Sequence, residues 1–189
     1  MVEELNREIA RLKEVIRMNN TILDSGNRTE YSTGAVRDIK DDVGRTDLMP
    51  LAVVANMVDN TYGDGLEGSV IRKIASFMES GRVSYLYQAL ESFCQYKNWD
   101  ITTVLLEVSI HYKNGALKYG ERNWEKGIPL HSFIDSAVRH FIKEIGGWTD
   151  ENHSRSFVWN IFGALWTMMY KHGTDLIDIP FDLLGGKNE

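Results

Sequence analysis

The spacing of apolar residues constrains this chain to a helical fold. Apolar side chains recur three and four residues apart through most of the sequence, as at Val70, Ile74 and Phe77, and this interval places them on one face of an α-helix. Long alternating runs of β-branched residues, which would predict strands, are missing, and only three prolines interrupt the chain. With 189 residues, 43% of them hydrophobic, one sizeable core can form. We therefore expect an all-α fold around a single core.

Composition limits the partners of the chain. Lys and Arg total 21 against 27 Asp and Glu, which gives a net charge of −6. We therefore expect no broad cationic surface for duplex nucleic acid or an anionic membrane. A local cationic pocket is still compatible with this net charge. No stretch reaches the roughly 18 apolar residues of a membrane-spanning helix, and the charged N-terminal sequence is unlike a secretory signal. The single cysteine, Cys94, is expected to pack in a helix. These features predict a soluble, cytoplasmic protein.

Four segments differ in their patterns. Residues 1–20 have the apolar spacing of a short heptad helix, which either packs on its own domain or a sister subunit or forms a dedicated zipper. The heptad positions are Val2, Leu5, Ile9, Leu12 and Ile16. Residues 21–50 are polar and rich in turn-forming residues, so they predict an extended arm. Residues 51–175 are predicted to form the main helical domain, and residues 176–189 a C-terminal tail.

The helix predicted to end at Gly120 carries three polar side chains on one face. Glu107, His111 and Lys118 are four and seven residues apart along it, and this spacing aligns them. Such a face is either a solvated stripe or a surface that holds a metal ion or a polyanion. The sequence leaves both interpretations open.

The next two predicted helices show similar combinations. Asp135 and Arg139 are four residues apart, which is the spacing of a common surface ion pair. His153 and Asn160 share a face within an apolar run. Because a buried amide needs hydrogen-bond partners, Asn160 is either a satisfied core residue or a group that binds the polar edge of a ligand.

The sequence GERNW at residues 120–124 places charged and planar side chains in a bend between two of these helices. If the three helices converge, their acids and imidazoles can hold a divalent cation, and oxygen donors favour Mg²⁺ or Mn²⁺. Cations near the bend can neutralise phosphate, and the ring of Trp124 can stack on a base. The candidate substrate ligands are Lys118, Arg122, Asn123, Trp124, Arg139 and Asn160, together with Arg37 and Arg45 of the arm.

Five segments of the sequence resemble one known family. They are STGAVRD (32–38), GRTDLMP (44–50), HYKNGALKYGERNWEKGIP (111–129), DSAVRH (135–140) and DENHSRSFVWN (150–160). They occur in the order found in phage and prophage dATP/dGTP diphosphohydrolases, a family related to the MazG-like all-α nucleoside triphosphate pyrophosphohydrolases. The block over 111–160 is the most specific part of this resemblance.

The resemblance implies a MazG-like helical bundle in which residues 51–175 are the catalytic domain. The sequence patterns add the N-terminal helix and the extended arm to this bundle. It implies hydrolysis of dATP or dGTP to monophosphate and pyrophosphate, with Mg²⁺ or Mn²⁺ as cofactor and carboxylates as ligands or general base. It also implies a homo-oligomer, dimer or tetramer, in the cytoplasm of a bacterial host. The predicted catalytic residues are Asp135, Glu107 and Glu151. The predicted metal ligands are Glu107, His111, Asp135, Asp150 and His153.

One departure from the related enzymes leaves alternatives open. The acidic motifs of MazG-like proteins, E-x-x-E followed by E-x-x-D, do not occur on the expected helices. Either imidazoles have replaced carboxylates, which would favour Mn²⁺ or a softer ion, or the distant kinship does not extend to the site. The missing pairs also motivate a second hypothesis, a non-catalytic nucleotide- or partner-binding helical protein of a phage. A third hypothesis, an oligomeric assembly protein, depends on the heptads of residues 1–20.

Overall fold

Helices dominate the computed structural model, which describes residues 4–9, 26–38, 43–63 and 65–181. Within these ranges the helices of 12 or more residues are α1 (Leu51–Tyr62), α2 (Leu66–Ser80), α3 (Ser84–Lys97), α4 (Ile101–Tyr119), α5 (Leu130–Ile145) and α6 (His153–Tyr170). Two short strands, β1 (Arg28–Glu30) and β2 (Val36–Asp38), pair with each other. Short 3₁₀ helices lie at Thr46–Leu48 and Asn123–Lys126. The all-α fold class predicted from the sequence is confirmed.

The centre of the core lies between α5 and α6, which pack against each other. Phe133, Ala137 and Phe141 of α5 and Phe157 and Ile161 of α6 point into the core and are fully buried. Their spacing of four residues follows from the 3.6-residue turn of the helix. α2 packs on α1 and α3, and α4 packs on α6. The three helices that carry the polar faces noted in the sequence are therefore neighbours.

The described part of the predicted arm folds as a hairpin against the helices. β1 and β2 are antiparallel, with Thr29 opposite Arg37, and Ala35 beside them is fully buried. The side chain of Asn123, in the bend after α4, accepts a hydrogen bond from the N–H of Val36 (3.0 Å) and donates one to its carbonyl oxygen (2.8 Å). This amide continues the ladder of the hairpin and ties the arm to the bend.

Several predicted segments lie wholly or partly outside the described residues. The heptad helix predicted over 1–20 is described only at 4–9, where the chain is helical. Parts of the arm and tail, 21–25, 39–42 and 182–189, also lie outside, and the predicted domain boundaries stay predictions. The start of the tail packs on the body, since the N–H of Leu130 donates to the carbonyl oxygen of Leu176 (2.8 Å). Among the described residues, no helix has the length and apolarity needed to cross a bilayer.

Two glycines within helices test the packing of α5 on α6. A Cβ on Gly163 of α6 would lie closer than 3.0 Å to the ring of Phe133, whereas a Cβ on Gly115 of α4 would meet nothing within 4 Å. Overpacking costs roughly 1–3 kcal/mol, and Ala favours a helix over Gly by roughly 0.5–1 kcal/mol. In urea titrations we expect Gly163→Ala to lower the free energy of unfolding by about 1–2 kcal/mol and Gly115→Ala to raise it by up to about 1 kcal/mol. Equal stabilisation by both substitutions would contradict the close approach of α6 to Phe133.

Candidate active site

A cavity of about 510 Å³ opens between α4, α5 and α6, and β2 and the bend after α4 complete its wall. Its volume is within the usual range for small-molecule sites. The predicted site residues that line it are Arg37, His111, Arg122, Asn123, Trp124, Arg139, Glu151 and Asn160. The other predicted residues, which are not among its lining residues, are Arg45, Glu107, Lys118, Asp135, Asp150 and His153. The structure thus brings more than half of the predicted set to one cavity.

Two histidines and a glutamate meet at the wall of this cavity. His140 Nδ1 lies 3.1 Å from His153 Nδ1 and 3.2 Å from Glu151 Oε1, and His153 Nδ1 lies 3.7 Å from Glu151 Oε1. His140 and Glu151 line the cavity, and His153 lies behind them with a fully buried side chain. Within the described residues, these three form the group of His, Cys, Asp and Glu side chains whose ligand atoms all lie within 4.8 Å of one another. We call them the His140–Glu151–His153 cluster.

A short connection between α5 and α6 creates this cluster. α5 ends at Ile145 and α6 begins at His153, and a short link between helices makes them antiparallel neighbours. The last turns of α5, with His140, therefore lie beside the first turn of α6. Asn152 caps α6 by accepting a hydrogen bond from the N–H of Arg155 (2.9 Å), so the carboxylate of Glu151 is not used as the cap.

Asp150 orients the imidazole of His153 from the side opposite the cluster. Its Oδ1 lies 2.7 Å from His153 Nε2, and its Oδ2 accepts a hydrogen bond from Lys143 (2.7 Å). Burial would raise the pKa of Asp150, but the hydrogen bonds from Lys143 and His153 outweigh it and hold that pKa below its usual value. Burial lowers the pKa of His153 although Asp150 opposes the shift. A neutral His153 that donates from Nε2 to Asp150 presents the lone pair of Nδ1 to the cluster.

The environment of Glu151 disfavours its charge. Burial, and secondly the neighbouring Asp150, raise the pKa of Glu151 to about 7. A bound cation would offset this cost, because an opposite charge within a few ångströms favours the ionised carboxylate. The cluster therefore combines a buried acid with two imidazole nitrogens, a donor set that can hold a divalent metal ion.

Glu107 and His111, both predicted as metal ligands, lie outside this cluster. Glu107 accepts a hydrogen bond from Nε of Arg155 (2.6 Å). The ring of His111 packs on Trp159 with 5.5 Å between centroids. Burial, followed by nearby cations, lowers the pKa of His111 to about 3, so this imidazole is neutral at physiological pH. An arginine and an aromatic ring thus hold the two side chains that the sequence pattern assigned to a metal.

Asp135, predicted as both catalytic residue and metal ligand, holds the arm in place. Its buried carboxylate accepts a hydrogen bond from the N–H of Thr46 (2.8 Å) and pairs with Arg139. Arg139 in turn donates to the carbonyl oxygen of Gly44 (2.9 Å). These bonds fasten residues 44–46 to α5, and Asp135 is not among the residues that line the cavity. The structure therefore places this carboxylate apart from the His140–Glu151–His153 cluster.

Arg37 of β2 brings a positive charge into the cavity. Its guanidinium donates to the carbonyl oxygen of Ser132 (3.0 Å), to Ser136 Oγ (3.2 Å) and to Asn160 Oδ1 (2.9 Å). The rings of Phe133 and Trp159 lie 5.5 Å from it. Burial lowers the pKa of Arg37, but an arginine stays charged in proteins. Its hydrogen-bond acceptors among the described residues are uncharged, so they orient the guanidinium without neutralising it.

The other predicted phosphate ligands are paired with acids. Lys118 lies 2.5 Å from Asp38, which lines the cavity and also pairs with Arg28. Exposed Arg122 pairs with Glu125 (2.5 Å). A phosphate would have to compete with these carboxylates.

A further pair lies away from the cavity lining. Arg45 binds Asp47 (2.6 Å) beside the 3₁₀ helix at Thr46–Leu48. Arg37, which uncharged groups hold, therefore differs in its partners from Lys118, Arg122 and Arg45, which pair with carboxylates.

The bend after α4 orients the planar side chains that the sequence singled out. Gly120 has φ 88° and Arg122 φ 56°, and these left-handed conformations reverse the chain. Trp124 then packs edge-on against Tyr112 (5.8 Å between centroids) and Trp166 (5.1 Å). Tyr112, Trp124 and Trp159 all line the cavity and give it an aromatic wall.

The two predicted amides are satisfied within the protein. Asn123 bonds to the backbone of Val36, as described above. Asn160 accepts from Arg37 and donates to the carbonyl oxygen of Ser156 (2.7 Å). Both side chains therefore position other parts of the site.

The sequence-based set of site residues does not include His140, Lys143, Asp38 or Trp159. For His140 a signal was present, because Gly146 and Gly147 follow α5 and the sequence DENH begins only three residues later, at residue 150. A short link of this kind brings the end of one helix beside the start of the next. For Asp38 and Trp159 we find no comparable signal, since their positions depend on how the hairpin packs on α4 and α6.

Comparison with known proteins gives a family match over part of the chain. Residues 89–176 match the model of a family described as dATP/dGTP diphosphohydrolase, N-terminal. The matched segment contains the His140–Glu151–His153 cluster and the cavity walls from α4, α5 and α6. No curated protein and no solved structure matches the chain. The family predicted from the sequence motifs is confirmed, whereas the relation to MazG-like enzymes and the phage origin stay predictions.

Proposed function

Because residues 89–176 are a dATP/dGTP diphosphohydrolase family domain, we propose that the protein hydrolyses a purine deoxynucleoside triphosphate to the monophosphate and pyrophosphate. The family description supports a diphosphohydrolase acting on a nucleotide. The metal requirement, the dATP or dGTP preference and the bond that is cut are parts of our proposal. A homo-oligomeric state, absence of duplex nucleic acid partners and a bacterial cytoplasmic location remain predictions from the sequence.

One observation carries this proposal. Arg37 and the His140–Glu151–His153 cluster face the same cavity, to which Arg37, His140 and Glu151 all contribute. A triphosphate needs cationic groups that are not already neutralised, and uncharged groups hold Arg37. It also needs a metal site open to the substrate, since enzymes that transfer or cleave phosphoryl groups act mainly by positioning and by electrostatic stabilisation.

The cluster fits a divalent metal ion in its donor atoms and its spacing. Three ligand atoms of two imidazoles and one carboxylate converge within 4.8 Å, and catalytic metal sites commonly use three protein ligands with one position open. We assign metal binding to His140, Glu151 and His153. Such an ion, when bound, polarises phosphate oxygens and lowers the pKa of a bound water.

Protein side chains supply the rest of the proposed mechanism. The Arg37 guanidinium would bind phosphate oxygens through N–H groups that the hydrogen bonds to Ser132, Ser136 and Asn160 leave unused, and these charge-assisted hydrogen bonds would be stronger than those to its neutral partners. The aromatic wall of Tyr112, Trp124 and Trp159 would stack on the purine and limit water access. Asp135 and Arg139 would contribute by fastening residues 44–46 of the arm to α5.

Product analysis with each nucleotide tests this function. We expect purified protein with Mn²⁺ or Mg²⁺ to release pyrophosphate and dAMP or dGMP from dATP or dGTP, and to act more slowly on dCTP and dTTP. Release of inorganic triphosphate would show that a different bond is cut. Failure to convert any nucleotide, combined with a dATP-induced rise in melting temperature, would favour the non-catalytic nucleotide-binding alternative.

A further inference from the structure

We propose that the His140–Glu151–His153 cluster is selective for a divalent transition ion of the Zn²⁺, Co²⁺ and Mn²⁺ class over Mg²⁺. This inference names the cofactor of the proposed function and rests on the metal site assigned there. It concerns binding, so it can be tested whether or not the protein turns over nucleotide.

The donor atoms favour such an ion. Mg²⁺ prefers oxygen ligands and retains several waters, whereas imidazole nitrogen suits first-row transition ions. Two of the three ligand atoms in the cluster are imidazole Nδ1 atoms, from His140 and His153. On entering the cluster, Mg²⁺ would lose water oxygens and receive imidazole nitrogens, which bind it weakly. Zn²⁺ or Co²⁺ would bind these nitrogens more strongly than the waters they replace.

The spacing of the ligand atoms fits one ion. A tetrahedral ion with metal–ligand bonds of about 2.0–2.1 Å holds its ligand atoms about 3.3 Å apart. The separations in the cluster are 3.1, 3.2 and 3.7 Å. The three side chains therefore need only small movements to bind one ion, and the cavity beside His140 and Glu151 provides room for an additional ligand.

The outer partners of the cluster support metal binding. Asp150 contacts His153 Nε2 at 2.7 Å, and Lys143 holds the other oxygen of Asp150 at 2.7 Å. This carboxylate–imidazole contact fixes the tautomer that points the lone pair of Nδ1 at the cluster, as in many metal sites. In this tautomer His153 Nδ1 is an acceptor, and it lies 3.1 Å from His140 Nδ1 and 3.7 Å from Glu151 Oε1. One metal ion among the three atoms would bind all of them.

Titration of the EDTA-treated full chain with Co²⁺, followed by visible absorption, tests the inference without nucleotide. We expect one equivalent of Co²⁺ to produce ligand-field bands, Zn²⁺ to abolish them, and a hundredfold excess of Mg²⁺ to leave them unchanged. The variants His140→Gln and His153→Gln should lose the bands. Asp150→Asn should weaken Co²⁺ binding by roughly 10–100-fold, and the control His172→Gln, an exposed histidine, should bind Co²⁺ like the wild type.

Displacement of Co²⁺ by the excess of Mg²⁺ would overturn the inference, as would wild-type binding by both cluster variants. Far-UV circular dichroism identifies a variant that fails to fold. If a variant does not fold, the competition between Co²⁺ and Mg²⁺ on the wild-type protein still tests the selectivity. If the protein binds Co²⁺ but hydrolyses no nucleotide, the proposed function is refuted and the metal site is not. If His153→Gln hydrolyses nucleotide with Mg²⁺ at the wild-type rate, the metal assignment is refuted and the proposed function is not.

Discussion

Glu151→Gln is expected to lower kcat/KM for dATP or dGTP at least about 10³-fold, equivalent to ~4 kcal/mol of transition-state stabilisation. The substitution preserves the shape of the side chain but removes the anionic member of the His140–Glu151–His153 cluster. The two imidazoles would remain 3.1 Å apart without the negative charge that stabilises a divalent cation between them. A coupled assay for pyrophosphate at saturating Mn²⁺ measures the loss.

The matched control for this substitution is Glu121→Gln. Glu121 is an exposed acid in the bend after α4 and does not line the cavity, so its removal changes the net charge equally and leaves the cluster intact. We expect less than a threefold change in kcat/KM for the control, in line with the small effects of surface charges. Comparable losses in both variants would contradict a role of Glu151 as metal ligand, and unchanged turnover in Glu151→Gln would place the metal elsewhere.

The helices of this protein could be predicted because their apolar residues follow the helical repeat over long stretches. The bend after α4 could also be predicted, since Gly120 ends the pattern and Asn123 and Trp124 follow it. The contacts of these two side chains could not be predicted in the same way. Asn123 bonds to the hairpin and Trp124 packs between two aromatic rings, and both contacts depend on segments distant in sequence.

Pairing explains why the predicted and observed polar clusters differ. The sequence shows which acids and imidazoles share a helical face, but it does not show which of them an arginine from another element will engage. Arg155 binds Glu107, and Thr46 and Arg139 bind Asp135. The short connection after α5 indicates that the two helix ends meet, but the sequence does not show that His140 contacts Glu151 of the connection and His153 of α6.

Arg37 is the residue for which a charge-removing substitution should most reduce substrate affinity. We expect Arg37→Gln to raise the Kd for a nonhydrolysable dATP analogue about 10–100-fold, because a hydrogen bond to a charged group contributes roughly 1.5–3 kcal/mol. The neutral amide can still donate to Asn160 or to Ser132, which limits the structural damage. Isothermal titration in the absence of metal isolates this contribution from the His140–Glu151–His153 cluster.

Two further variants separate charge from geometry at this position. Arg37→Lys keeps the charge but loses the planar fork that reaches three acceptors at once, so we expect an affinity between those of the wild type and Arg37→Gln. Lys126→Gln removes an exposed cation that contacts the same hairpin at Gly34 without lining the cavity, and its affinity should match the wild type. If Arg37→Gln bound the analogue as tightly as the wild type while its melting temperature fell, Arg37 would serve only to fasten the hairpin. The other described cations that line the cavity, Arg122, Arg139 and Lys143, are each paired with a carboxylate. The electrostatic basis of the proposed function would then be lost.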